Sequence, residues 1–284
     1  MNETIINIGD YEAVGGGFLG ESYICKSDPN ILLKLYSRER EQMGYDEYEK
    51  ACKVYRIGVP CPAPGELVRT EEGLLGILFR RIVGKKSYAR ALSEHPERLE
   101  EYAARFAEES KKLHAIRPEP GLFPTAKEQC LSHIRLDKFL SDEEKAGMER
   151  YVDNLPDTDT ALHGDLHYGN IIFTEDGQQY FIDLGDFCIG SPLFDLAIVY
   201  WQTCCMPETF IKENYHIDAT TAKAFWCAFV QQYFGSGTNI KEIEAMLEPY
   251  NTLRTIAIEQ SLNEYRPAIR QALREMIKAS QKKD

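Results

Sequence analysis

A carboxylate, an amide and a second carboxylate stand at spacings suited to handling the phosphates of a nucleotide. The run His163-Gly164-Asp165-Leu166-His167-Tyr168-Gly169-Asn170 puts Asp165 five residues before Asn170. An apolar stretch follows, and then Phe181-Ile182-Asp183-Leu184-Gly185-Asp186. Phosphoryl transfer needs an acceptor that orients a hydroxyl and oxygen ligands that hold Mg²⁺ against the phosphates. Asp165 suits the first task, and Asn170 with Asp183 the second. The segments around Ile171-Ile172-Phe173 and Tyr180-Phe181-Ile182, with Glu175-Asp176-Gly177 between them, predict a hairpin. It brings Asn170 and Asp183 to the same end of two neighbouring strands, where one metal can touch both.

Such groups need elements to hold them. Residues 12–25 read as strand, glycine turn and strand, with Gly15, Gly16 and Gly17 in the turn and Ser22 just after it. Glycines let backbone N–H groups approach phosphate oxygens, although a plain hairpin turn has the same composition. The next strand, Ile31-Leu32-Leu33-Lys34-Leu35-Tyr36, is interrupted by one lysine, a residue that ordinarily snorkels to solvent in such a setting. Residues 38–57 carry Tyr45, Tyr48, Cys52 and Tyr55 at helical steps and stop at Gly58-Val59-Pro60. Glu49 borders that stripe, and Glu47 competes with it. Residues 74–84 predict a strand running into Gly84. Beyond it the periodicity becomes helical, around Leu99, Tyr102, Phe106 and Leu113 and then over 129–153, with a proline-rich loop at 117–128 between them. Helical patterns near 193–206, 219–234, 239–262 and 266–280 complete the chain, which has no internal repeat.

Composition narrows the classes. The chain has 284 residues, 27% charged and 43% hydrophobic, as an ordinary globular enzyme of one or two domains does. No apolar run reaches a membrane span, and the start Met1-Asn2-Glu3 lacks the basic-then-apolar pattern of an export signal. A cytoplasmic location with no membrane partner is expected. Eight cysteines without a Cys-x-x-Cys pair read as reduced thiols, not as zinc ligands or disulfides. A net charge of −12 speaks against nucleic acid. It suits steering of cationic small substrates, and equally plain solubility. The oligomeric state stays open, with a monomer sufficient.

His-Gly-Asp-x-His-x-x-Asn followed by Ile-Asp-x-Gly-Asp resembles the aminoglycoside phosphotransferase and choline kinase family, small-molecule kinases related to protein kinases. The spacing from Asp165 to Asn170 is that of the protein-kinase catalytic loop. The resemblance implies an α+β, bilobal, protein-kinase-like fold. A small β-rich N-terminal lobe would span residues 1–80, a hinge 81–85, and a larger, mostly helical lobe 86–284. It implies transfer of the γ-phosphate of ATP, with Mg²⁺, to a hydroxyl of a small molecule such as an aminoglycoside, an amino alcohol or a sugar-like metabolite. Within it Asp165 aligns the acceptor hydroxyl, and Asn170 and Asp183 ligate the metal. Lys34 contacts the ATP phosphates, and Glu49 is the helix glutamate that holds it. The glycine turn with Ser22 covers the phosphates, and the backbone at Arg80 and Ile82 meets the adenine edge. Asp195, in Asp-Leu-Ala, is a structural brace. His114 and His163 are expected to pack, as is His167 unless it lines the acceptor pocket. Asp186 matches a second acidic position.

Two alternatives fit parts of the pattern. Asp165-x-His167 with Asp183 and Asp186 resembles a two-metal phosphohydrolase cluster, but that reading leaves Lys34 and the glycine turn unused. A kinase-like binding protein without turnover usually shows a broken ligand set, and here the set is whole.

Overall fold

The computed structural model describes residues 4–16, 21–267 and 269–280. Gly17 lies outside the described residues. The chain forms two compact units: Met1–Ser87 with Asn170–Phe187, and Tyr88–Gly169 with Cys188–Asp284. The expected boundaries gave everything after residue 85 to the C-terminal part. Instead the hairpin at 170–187 joins the first unit, held there by hydrogen bonds to its strands.

The first unit is built on a six-stranded sheet. Its strands are β1 (Thr4–Ile6), β2 (Tyr11–Gly16), β3 (Glu21–Cys25), β4 (Ile31–Leu35), β5 (Pro64–Thr70) and β6 (Leu75–Arg80), in the order β1-β5-β6-β4-β3-β2. Only β1 with β5 runs parallel. Helix α1 (Glu41–Arg56) follows β4. A short strand, β7 (Lys86–Ser87), ends the first segment. After helix α2 (Tyr88–Glu94), α3 (Leu99–Ala115), α4 (Ala126–Leu136), α5 (Asp142–Asp153) and strand β8 (Ala161–Leu162), the chain returns to this unit. There β9 (Ile171–Phe173) and β10 (Gln179–Phe181) form the predicted hairpin, and β9 pairs antiparallel with β7. Phe181 N also donates to Pro60 O at 2.8 Å. These ladder bonds tie the hairpin to the β-rich unit.

Helix α1 faces the sheet with Gly44, Glu47, Ala51 and Val54. That stripe is displaced by one position from the tyrosine-rich stripe expected from hydropathy, and Tyr55 is exposed. Close approach is the cause. A Cβ on Gly44 would lie 2.8 Å from Leu75 Cδ2 and 3.0 Å from Tyr36 Cδ2. At that separation only small residues fit between helix and sheet, so the tyrosines are turned to the rim.

The second unit is mostly helical. Besides α2–α5 it holds β11 (Cys188–Ile189), which pairs with β8, and helices α6 (Leu193–Tyr200), α7 (Glu208–Tyr215), α8 (Ala219–Phe234), α9 (Ile240–Leu262) and α10 (Ile269–Ser280). A π-helical turn, Trp201–Cys205, continues α6. Thr125 caps α4 with a reciprocal Thr125–Glu128 capping box, so that helix begins inside the stretch expected to be loop. Phe106 of α3 meets Phe225 and Phe229 of α8 edge to face, each at 5.5 Å. A separate cluster joins Ile134, Met148, Val152, Leu253, Ile256 and Leu273 across α4, α5, α9 and α10. Among the described residues no helix is long and apolar enough to cross a membrane.

Candidate active site

The charged centre of the first unit is Lys34. It lies on β4 directly across from Ser22 on β3, and Ser22 is in turn opposite Gly15 on β2. The strand buries Leu33 and Leu35 beneath the sheet, so the period of two turns Lys34 to the other face. There its Nζ donates to both carboxylate oxygens of Glu47 at 2.8 Å and to Asp183 Oδ1 at 2.5 Å. Burial draws the Lys34 ammonium down from its ordinary pKa, but Asp183 first and Glu47 second outweigh it, and the net shift is upward. Lys34 is thus a fixed cation. Behind it, the buried Tyr36 hydroxyl donates to Glu47 Oε2 at 2.6 Å.

The expected partner, Glu49, is not the one used. Its side chain is 67% exposed and pairs with Lys53 one turn along the helix. The one-position displacement of the buried face of α1 explains the correction, because it puts Glu47 rather than Glu49 against the sheet face that carries Lys34. Lys50, also on α1, donates to the Gly185 carbonyl and so ties the helix to the turn after Asp183. Neither Tyr36 nor Lys50 carries a sequence signal for these contacts.

Lys34, Glu47 and Asp183 border a cavity of about 560 Å³. Apolar side chains including Ile24, Leu32, Ala51, Phe79, Ile172 and Ile182 line it, and Gly15, Ser22, Arg80 and Ile82 reach it too. Volume, apolar walls and a charged border suit a nucleoside with its phosphates. Arg80 N already donates to Ala63 O at 2.8 Å, which takes that N–H away from any adenine edge. Gly16 ends β2 opposite Glu21.

Asp183 adopts a left-handed backbone conformation, φ 62° and ψ 59°, uncommon for a residue with a Cβ. Its side chain is 46% exposed. Ile182 N donates to Asn170 O at 3.0 Å, so Asn170 and Asp183 do stand at adjoining strand ends. An amide and a carboxylate are hard oxygen donors of the kind Mg²⁺ takes, usually one or two from protein beside phosphate and water. The donor set therefore fits that ion. Among the described residues no three His, Cys, Asp or Glu side chains gather as a metal-holding group. Asp186 is exposed in the turn that follows.

Asp165 belongs to the second unit. Its segment turns at Gly164, whose φ of 80° favours glycine. The buried Asp195 braces the turn, accepting Gly164 N and His163 N at 2.8 Å each and contacting His114 Nε2 at 3.1 Å. His114 packs against Tyr233, with its Nδ1 2.7 Å from the hydroxyl. His163 is fully buried, and its Nδ1 accepts Asp165 N at 3.3 Å. His167 packs edge to face on Tyr168 and Tyr215 while its Nε2 stands 3.7 Å from Asp165 Oδ2. The other oxygen, Oδ1, accepts Arg254 Nη2 of α9 at 2.6 Å. Sequence reasoning missed Arg254, which follows Asp165 by 89 positions and lies in an unremarkable helical pattern.

The family described as "Phosphotransferase enzyme family" matches residues 10–220. No curated protein sequence matches the chain. Among solved structures, aminoglycoside phosphotransferase APH(2'')-Ib in its ADP-bound form is similar at a TM-score of 0.58 and 18% identity, covering 95% of this chain and 91% of that one. A thermostable mutant of aminoglycoside phosphotransferase APH(4)-Ia, in apo form, gives 0.60 and 13%, with 95% and 93% covered. The gentamicin complex of APH(2'')-IIa gives 0.58 and 17%, with 94% and 90% covered. At these identities the likeness establishes a shared α+β kinase-like fold.

Proposed function

The chain belongs to the phosphotransferase enzyme family, and on that premise we propose that it transfers the γ-phosphate of Mg-ATP to a hydroxyl of a small molecule. The observation that carries this reading is Lys34, fixed by Glu47 and Asp183 at the border of an apolar cavity. In that reading the cavity takes the adenosine and Lys34 neutralises phosphate charge. Asn170 and Asp183 would hold Mg²⁺, which when bound screens the phosphate oxygens. Asp165 accepts a hydrogen bond from the acceptor hydroxyl and aligns it. Most of the rate in such transfers comes from positioning and electrostatics, which makes the fixed side chains as important as their basicity. The free cysteines suit a reducing cytoplasm, where ATP is plentiful.

An ADP-coupled assay with Mg-ATP, and with Mg-GTP beside it, across aminoglycosides, amino alcohols and sugar-like alcohols tests the proposal. At least one alcohol should raise ADP release well above the rate in water and emerge phosphorylated. A chain that binds Mg-ATP yet phosphorylates nothing across the panel speaks for the binding protein without turnover.

The correction on α1 gives a separate test. Glu47→Gln removes a charged hydrogen-bond acceptor from Lys34, a loss of about 1.5–3 kcal/mol. Turnover with Mg-ATP should fall roughly tenfold to a hundredfold. Glu49→Gln changes an exposed helix pair and should stay within about twofold. If the two variants reverse that order in steady-state kinetics, the assignment of Glu47 fails.

A further inference from the structure

We propose that Arg254 is a positioning residue for the phosphoryl transfer, clamping one oxygen of Asp165 so that the carboxylate is held for the acceptor hydroxyl. The inference rests on the phosphotransferase reading above and adds to it a residue outside the family signature.

The grip on Asp165 comes from two directions. From α9, Arg254 Nη2 donates to Oδ1 at 2.6 Å, and each side chain is only 24% exposed, so solvent screens this charge-assisted contact in part. From its own segment, His167 faces Oδ2 at 3.7 Å. Gly169 N donates to His167 Nδ1 at 3.0 Å, which places the proton of a neutral ring on Nε2, toward the carboxylate. Charged and titratable groups that act on Asp165 include Arg254 from α9, His167 and His163 from the catalytic segment, and Tyr215 from α7. Burial pushes the Asp165 carboxyl up, yet Arg254 foremost, then His167 and His163, hold it well below the usual carboxylate range.

The placement of Arg254 is not explained by stability. Among the described residues its buried Nε has no hydrogen-bond partner, nor has the buried Asn251 Oδ1 one turn earlier on α9. A guanidinium that leaves a donor unsatisfied is a poor way to stabilise a helix packing. What fixes its aim is the rest of α9, where Leu253 and Ile256 are locked into the cluster with Ile134, Met148 and Val152. Phosphoryl transfer gains more from an oriented carboxylate than from a strongly basic one, because the acceptor proton leaves late in a loose transition state. An arginine that lowers basicity while fixing orientation suits that chemistry.

The test uses the full chain and Mg-ATP, with an accepted alcohol or, failing one, water as acceptor. Arg254→Met should lower kcat by about 10²-fold, as loss of one preorganised donor does, while KM for ATP stays within about twofold. Arg254→Lys should recover roughly a tenth or more of wild-type kcat, since it restores the charge but not the fork. Asp165→Asn combined with Arg254→Met should be no slower than Asp165→Asn alone, because the two act as a unit. Removing Arg254 should also bring an acid limb into the kcat/KM profile at higher pH than in the wild type. Wild-type kcat in Arg254→Met, or losses that multiply in the double variant, would overturn the proposal. A wild-type chain with no turnover on alcohol or water overturns the phosphotransferase reading instead. In that case ¹³C-carboxyl titration of Asp165 still decides the clamp: an upward move in Arg254→Met supports it, and an unmoved titration sinks it.

Discussion

Asp165→Asn should leave a folded, ATP-binding and nearly inert protein. The change keeps size and most hydrogen-bonding capacity but removes the charge that, on the proposed function, aligns the attacking hydroxyl. General-base and orienting contributions of this kind are typically about 10²–10⁴-fold. ATP affinity should hold, because Lys34, Glu47 and the cavity lie in the other compact unit. Stability should fall modestly: Arg254 loses its anion, but the pair is a quarter exposed and partly screened, so a Tm drop of about 2–4 °C is expected. The sign of the pH dependence follows from the depressed carboxyl. In the wild type the pair stabilises above the ordinary carboxylate pKa and weakens as pH falls through the lower folded value; the asparagine variant should lack that acid-side loss. Near-normal turnover in the variant would refute the assignment, whatever its stability.

Asp183→Ala is expected to abolish the Mg²⁺ dependence of nucleotide binding, and Asn170→Ala to weaken it less. The aspartate supplies the charged oxygen, the asparagine a neutral one. Calorimetry with ATP, in the presence of Mg²⁺ and of a chelator, separates metal from nucleotide. For Asp183→Ala the two affinities should converge, because Lys34 keeps Glu47 and still meets the phosphates. For Asn170→Ala a difference of roughly tenfold should persist, about 1.4 kcal/mol. Undiminished Mg²⁺ dependence in Asp183→Ala would remove it from the metal site.

The hairpin that brings Asn170 and Asp183 together is legible in the sequence because its signals are local: two short apolar runs and a Gly177 turn. That Lys34 faces away from Leu33 and Leu35 is legible for the same reason, since they flank it at a period of two. Where the answer depends on the distance between elements, local patterning fails. Helix α1 turned its smallest residues to the sheet, and that moved the buried glutamate from Glu49 to Glu47. The membership of residues 170–187 depends on a ladder to β7 that no periodicity records. Arg254 is the extreme case, because its meaning lies wholly in a contact 89 positions away.

The split composition of the first unit also sets an order of events on the ribosome. Its first segment ends at Ser87, and its second begins only at Asn170, after much of the other unit has been made. At about 5–20 residues per second, the emerging sheet waits roughly 5–20 s for Phe187. Through that interval β7 offers a ladder edge with no strand to fill it, and Lys34 has Glu47 but not Asp183. An open edge of this kind invites wrong pairing. The nascent chain is therefore most exposed to misfolding before Asp183, the proposed metal-binding carboxylate, is translated, and on the proposed function nucleotide can assist folding only after that point.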